Sequence, residues 1–415
     1  MRALHTADWH LSTQRSKLDP ETGLNARLID FYRCARFTVE DGLARGAQLV
    51  LHAGDAFNGC RPSPTEAWLF RQAVEPARQA RVPVVLLLGN HDAPRSSVEK
   101  HALDLVRETP GLTVVDRPTL LNVWRGSDDV VVEPPEMSTP DGRELVLQLA
   151  CLSWPNKQLL LASEENRKLD PGQLNELVQD RMMDCLHGLA GQLVPDVPAL
   201  LLGHFSVDMA QAGGMNRLMA LGGEFCLNLH DLTALPFACV CLGHIHKPQV
   251  LSESPWVGYC GSPECVTHGE AGEDKGYSLL DVGPDGDVVH KFIPTPYRRF
   301  VTVDLVSCEA TPDNGLPSPE ELADAIVRVR IGAAADVDMA ALREQLEAAG
   351  VHEYQIATER AEAVRRRAVE VSAAMALEEA LKAWLEQCPD LKPMMEELLA
   401  EAQAVEAAIA GGETA

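Results

Sequence analysis

No stretch of about 18 uncharged apolar residues occurs in the 415-residue chain, so a membrane-spanning helix is not expected. The longest apolar run, residues 82–88, is strand-sized and broken by Pro83. The opening residues carry no apolar signal core and no cleavage site, which makes a cytoplasmic chain the expectation. Paired cysteines are missing as well. The eleven present are an odd number, scattered from Cys34 to Cys388 without one CxxC, which argues against a disulfide scaffold or a structural zinc site. Cys239 and Cys241 alternate along an apolar run and read as small core side chains. There is no P-loop, no internal repeat and no low-complexity segment. Positive charge is scarcest of all: 36 Lys and Arg stand against 61 Asp and Glu, a net −25. Arg365-Arg366-Arg367 is the one basic cluster, so an extended basic surface for gripping a phosphate backbone is not in view.

What is there is ample for a large core, since 46% of residues are apolar and 23% charged. Apolar runs at 3–7, 48–53 and 82–88 alternate with amphipathic stretches at 21–45 and 63–80. Near-continuous apolar strands between helices point to a layered α/β domain whose strands are buried on both faces. Beyond about residue 119 the pattern turns β-rich, with a helix near 172–188 and strands at 199–202, 238–242, 277–282 and 287–292. Residues 296–358 read as a small βαβ-type module, with strands at 299–305, 326–331 and 352–356 and a helix at 339–349. The last 50 or so residues are rich in Ala, Glu and Leu. There Leu377, Leu381, Trp384, Leu385 and Cys388 fall at helical spacing, then Met395, Leu398, Ala402, Val405 and Ile409. This tail reads either as helices packed on their own core or as a hairpin offering its apolar face to a partner.

Five short segments hold the residue types of a metal centre, each after an apolar strand. Asp8-Trp9-His10 follows the first; on an extended backbone side chains two apart point the same way, so Asp8 and His10 can grip one ion. Gly54-Asp55 follows the second, where open α/β sheets bind ligands, and the two oxygens of Asp55 can bridge two cations. Gly89-Asn90-His91-Asp92 adds a neutral amide oxygen and a donor for a phosphate oxygen. Gly203-His204 and Gly243-His244-Ile245-His246 supply three more imidazoles. Glycine at four of these openings permits a sharp turn. Singly these are weak signals; five in order, each at a strand end, are not. Of the remaining histidines, His101 lies on a helix face, His5, His187, His230, His268, His290 and His352 have no partner at ligand spacing, and His52, inside a strand, stands out only for its nearness to Asp55.

The order DxH, GDxF, GNHD, GHF and GHIH resembles the calcineurin-like metallophosphoesterase superfamily, and the forms HTADWHL, HAGDAFN and LGNHD are similar to its SbcD branch. These motifs cover residues 5–248. The resemblance implies a two-sheet sandwich flanked by helices over 1–295, a small α+β capping domain over 296–360 and a helical partner-binding tail over 361–415. It implies one manganese held by Asp8, His10, Asp55 and His246 and a second held by Asp55, Asn90, His204 and His244. Iron, zinc or magnesium suit the same donors. It further implies that His91 contacts the scissile phosphate and assists the leaving group, with Asp92 orienting it. Asn58, where relatives often carry Asp or His, receives no role. The implied activity is DNA hydrolysis, as exonuclease on duplex ends and endonuclease on hairpins or single strands. It would serve repair and recombination as a homodimer, beside an SbcC-like ATPase docked near residues 370–410 that supplies most of the DNA binding. The acidic balance favours an alternative on the same metal core, hydrolysis of a small phosphoester or nucleotide. A vestigial scaffold would have lost ligands, and none is missing.

Overall fold

The computed structural model describes residues 1–94, 100–135, 142–156, 166–211, 224–305, 316–332, 337–358 and 398–399. Apart from 398–399, the tail over 361–415 lies outside the described residues, and so do its two apolar stripes save Leu398.

Two sheets stack face to face. The first holds β1 (Arg2–Thr6), β2 (Leu49–His52), β3 (Val84–Leu87), β4 (Leu112–Val115), β14 (Gly276–Val282) and β15 (Val288–Pro294), in the order β15-β14-β1-β2-β3-β4. Strands β1 to β4 are mutually parallel. The second holds β5 (Thr119–Arg125), β6 (Val130–Glu133), β7 (Glu144–Leu152), β8 (Ala199–His204), β11 (Cys239–Gly243), β12 (Gln249–Glu253) and β13 (Trp256–Tyr259), in the order β12-β13-β11-β8-β7-β5-β6. Strand alternation explains the layering. Ala3, Leu49, Leu51, Val85 and Leu87 face Leu121, Leu147, Leu149, Leu200, Leu202 and Cys241 across the inter-sheet core. Their neighbours Leu4, Val50, Val84 and Leu86 point outward onto α1 (Ala26–Ala44) and α2 (Pro64–Gln79). On the far side, Ala150, Leu201, Val240 and Leu242 pack against Val178, Met182 and Leu186 of α3 (Pro171–Ala190). The layered α/β expectation holds, and Cys239 and Cys241 are core residues.

The helices begin where caps dictate. The first starts at residue 26 rather than 21, because the Asn25 side chain accepts from Leu28 N and residues 19–24 are tied into a turn by Asp19. Ser63 with Glu66 and Asp170 with Gln173 form capping boxes for α2 and α3, each followed by Pro at the first position. A minor ribbon pairs β9 (Ser206–Val207) with β10 (Cys226–Leu227), ahead of the short α4 (Leu229–Thr233). A third sheet joins β16 (Phe300–Leu305), β17 (Ile326–Ile331) and β18 (Glu353–Thr358), all parallel, with α5 (Pro319–Leu322) and α6 (Met339–Ala348) in the connections. Leu342 and Leu346 cover it. It is tied to the sandwich by Arg298, which bonds both oxygens of Asp30 at 2.8 Å, and by Phe300 and Ile326 packed on Cys265. No described helix is long and apolar enough to cross a membrane.

His52 joins the outer core, its ring 4.6 Å from Trp9 and 6.3 Å from Phe70. Burial holds both His5 and His52 at a pKa of about 3. An unfolded histidine titrates near 6.5, roughly. Their contribution to stability is therefore complete above about pH 6.5 and is lost as the pH falls towards the folded value. We expect His52→Leu to flatten the fall of the melting temperature below about pH 6.5; an unchanged slope would mean that His52 does not enter the fold as the neutral ring.

Candidate metal centre

All the motif residues converge at the C-terminal ends of parallel strands: Asp8 and His10 after β1, Asp55 after β2, Asn90 to Asp92 after β3, His204 ending β8, and His244 and His246 after β11. Asp8, His10 and His246 offer ligand atoms within 4.8 Å of one another. So do Asp8, Asp55 and His204, and also His10, Asp55 and His91. The backbone achieves this differently from the extended geometry expected for Asp8 and His10. Asp8, His10, Asp55 and His244 have φ of 54°, 45°, 55° and 97°. Each such conformation costs a non-glycine residue about 1–3 kcal/mol and persists only where the surroundings enforce it. Here Asp8 N donates to Gly54 O at 2.9 Å, His10 N to Asp55 O at 3.1 Å, and His244 N to both oxygens of Asp8. Gly89 is required for a different reason: a Cβ there would lie 2.1 Å from Asp55 Oδ1.

Each imidazole has one nitrogen fixed by an oxygen outside the cluster. His10 Nδ1 lies 3.1 Å from Asn58 Oδ1, His204 Nδ1 2.6 Å from Ala53 O, His246 Nδ1 3.2 Å from Glu270 Oε1, and His244 Nε2 3.2 Å from Glu224 Oε2. These acceptors put the ring proton on the anchored nitrogen and turn the lone pair of the other inward. His10 Nε2 and His246 Nε2 then face each other at 2.9 Å, with Asp55 Oδ2 3.7 Å from the former and 3.4 Å from His204 Nε2. His204 Nε2 and His244 Nδ1 converge on Asn90 Oδ1 at 2.9 and 3.0 Å. Facing lone pairs among buried carboxylates repel unless a cation lies between them. Burial pushes Asp8 above its usual range, and burial together with the Asp55 charge pushes Asp92 up to about 7. The donor set therefore fits divalent metal ions.

Asp92 differs from expectation in its contacts. Its oxygens accept from the backbone of Ala56, Phe57 and Gly89 at 3.2, 3.0 and 3.3 Å. It thus ties the Asp55 loop to the Asn90 loop, and it reaches His91 through the backbone, not through the ring. His91 itself donates its backbone N–H to Asp55 Oδ1 at 2.8 Å, and its half-buried ring packs edge-on against His10 at 4.7 Å. Asn58, which sits within a motif but received no role, anchors His10, whereas Glu224 and Glu270 lie in no motif. The two glutamates lie 20 and 24 residues from the histidines they hold, and no local pattern marks them.

A sequence profile of calcineurin-like phosphoesterases matches residues 1–248, more than half of the chain. The chain belongs to the calcineurin-like phosphoesterase family. This phosphoesterase is 26% identical over 293 residues to the SbcD component of nuclease SbcCD from Bacillus subtilis, covering 68% of this chain and 67% of that protein. It is 27% identical over 336 residues to the SbcD component from Rhodobacter capsulatus, covering 78% and 75%, and 21% identical over 306 residues to that from Staphylococcus epidermidis, covering 73% and 72%. The resemblance to the SbcD branch is borne out. The protein is a metal-dependent phosphoesterase, a hydrolase of the kind that uses divalent ions.

Proposed function

We propose that this phosphoesterase is a two-metal nuclease that hydrolyses DNA, as exonuclease on duplex ends and endonuclease on hairpins or single strands. The observation that carries the reading is the pair of inward-facing imidazoles His10 and His246 beside Asp8, with Asp55 between His10 and His204 at 3.7 and 3.4 Å. It occurs in a chain matched over about two thirds of its length by proteins named as nuclease components. In this reading Asp8, His10, Asp55 and His246 hold one ion, and Asp55, Asn90, His204 and His244 hold the other. Manganese suits the mixed N/O set, with iron, zinc or magnesium as its rivals. Two such ions supply Lewis acidity to the phosphoryl oxygens and lower the pKa of a water.

The chain's own residues do the rest. Asp55 spans both positions and, through its bond to His91 N, sets the GNHD loop relative to them. Asn58 and Glu270 keep the protons of His10 and His246 on the outer nitrogens. His91 stands beside His10 with its ring partly open to solvent, where it contacts the scissile phosphate and delivers a proton to the departing oxygen. Asp92 holds the loop that carries His91. We further propose residues 1–295 as the nuclease domain, 296–360 as a capping domain and 361–415 as the segment that docks on an SbcC-type ATPase, the whole acting as a homodimer. The net charge of −25 supports delegating most of the DNA affinity to that partner.

The test is digestion of end-labelled linear duplex and hairpin DNA with manganese, beside bis(p-nitrophenyl) phosphate and an EDTA control. Manganese-dependent cutting of DNA, alone or once an SbcC-type ATPase is added, is the expected result. Turnover of the small ester with DNA left intact in the presence of both proteins would assign the site to small phosphoesters instead.

A further inference from the structure

Behind His246 lies a charged pair of which the hydrolytic reading uses only the glutamate. Glu270 and Lys275 are both 0% exposed, and Lys275 Nζ meets Glu270 Oε2 at 2.6 Å. The other oxygen of Glu270 lies 3.2 Å from His246 Nδ1. Lys275 also donates to the backbone carbonyl of His246 at 3.2 Å and to Ser262 Oγ at 3.0 Å, while Ser262 N donates to the same carbonyl at 3.1 Å. One ion pair thus grips His246 at both ends, ring and backbone.

A cap for the short turn His268–Glu270 would account for part of this. Glu270 does accept from Thr267 N at 3.1 Å and Val266 N at 3.2 Å. It does not account for the buried lysine, nor for the aim at His246. A capping carboxylate works as well in water, whereas a buried ion pair carries a desolvation cost that is often not recovered. Its counterpart on His244 is Glu224, whose side chain is 20% exposed. The two proposed ion positions also differ in charge: one contains Asp8 and shares Asp55, and the other shares Asp55 and adds only the neutral Asn90.

We propose that Glu270, braced by Lys275, is a positioning residue that holds His246 with its Nε2 lone pair towards the ion, and so makes the Asp8–His10–Asp55–His246 position the tighter of the two. A carboxylate behind a ligating imidazole fixes its tautomer and raises its basicity, and losing such a partner typically costs about 10–100-fold in metal affinity. The proposal rests on the reading of His246 as a ligand.

The experiment is calorimetric titration of the metal-free chain with manganese alone. It compares wild type, His246→Ala, Glu270→Gln and the double variant Glu270→Gln/Lys275→Met, which removes both charges of the pair and leaves Glu273, 3.3 Å from Lys275 Nζ in the wild type, with its remaining contacts. Circular dichroism and the metal-free melting temperature establish that each variant is folded. Wild type is expected to bind in two unequal steps. Both Glu270 variants should weaken the tighter step about 10–100-fold, leave the other unchanged, and shrink the manganese-induced rise in melting temperature. If His246→Ala weakens a step and the folded double variant does not, the proposal is overturned while the metal reading stands. If His246→Ala changes nothing, the ligand assignment itself fails and the role of Glu270 falls with it.

Discussion

Asp55→Asn is expected to slow metal-dependent hydrolysis about 10³–10⁵-fold, the largest single effect in the molecule. The estimate follows from what a bound ion supplies, several kcal/mol of charge stabilisation at roughly 1.4 kcal/mol per tenfold in rate. Asp55 is the carboxylate that the proposal places at both positions. Its Oδ2 lies 3.7 Å from His10 Nε2 and 3.4 Å from His204 Nε2, while Oδ1 receives His91 N at 2.8 Å. Asparagine keeps the shape and an oxygen able to accept from His91, so the variant should fold. It removes the negative charge shared by the two proposed ion positions and replaces one candidate ligand oxygen by an amide that donates. Manganese content by plasma mass spectrometry should fall from two ions per chain. A variant that retains two ions and activity within tenfold of wild type would place the bridging role on another residue, with Asp8 the first candidate.

His91→Asn should give the opposite pattern: both ions kept, rate lost. Proton transfer by a positioned side chain is worth about 10²–10⁴-fold, and DNA leaves as a basic alkoxide that needs the proton. p-Nitrophenolate does not. The loss should therefore approach that full range on DNA and be far smaller on bis(p-nitrophenyl) phosphate. This split separates an acid from a residue that merely props up the loop, which would slow both substrates alike. The geometry allows one further outcome, because His91 can also share an ion with His10 and Asp55. If the variant loses an ion, His91 is a ligand and the acid must be sought elsewhere. The half-buried ring, packed on His10 and hydrogen-bonded only loosely to Asn58 O at 3.4 Å, favours the acid.

The order and residue types of the candidate site can be read from the motifs alone. Five largely apolar strands, each followed by donors, are local patterns, and a strand so apolar has few places to go except between two layers. Asp8, Asp55, Asn90, His204 and the two histidines after β11 could be named for that reason. The small module was legible on different grounds, since apolar and basic residues alternate from Val327 to Ile331. Helix starts were blurred where a cap such as Asn25 overrides amphipathic spacing, and the strands of the 112–152 region showed no motif to anchor them.

Which atoms face inward is set by contacts that form only in the folded chain. The left-handed φ of Asp8, His10, Asp55 and His244 is imposed by bonds between loops 36 to 236 residues apart, and no dipeptide preference announces it. The contacts of Asp92 escape a reading of the sequence because its partners are backbone amides, which nearly every residue possesses. Glu270 and Lys275 look like any acidic and basic residue in a surface turn. They matter because the fold carries both out of water beside His246, where a charge must find a partner. Burial and long-range pairing are properties of the folded chain, and they decide which of its sixty-one carboxylates serve the site.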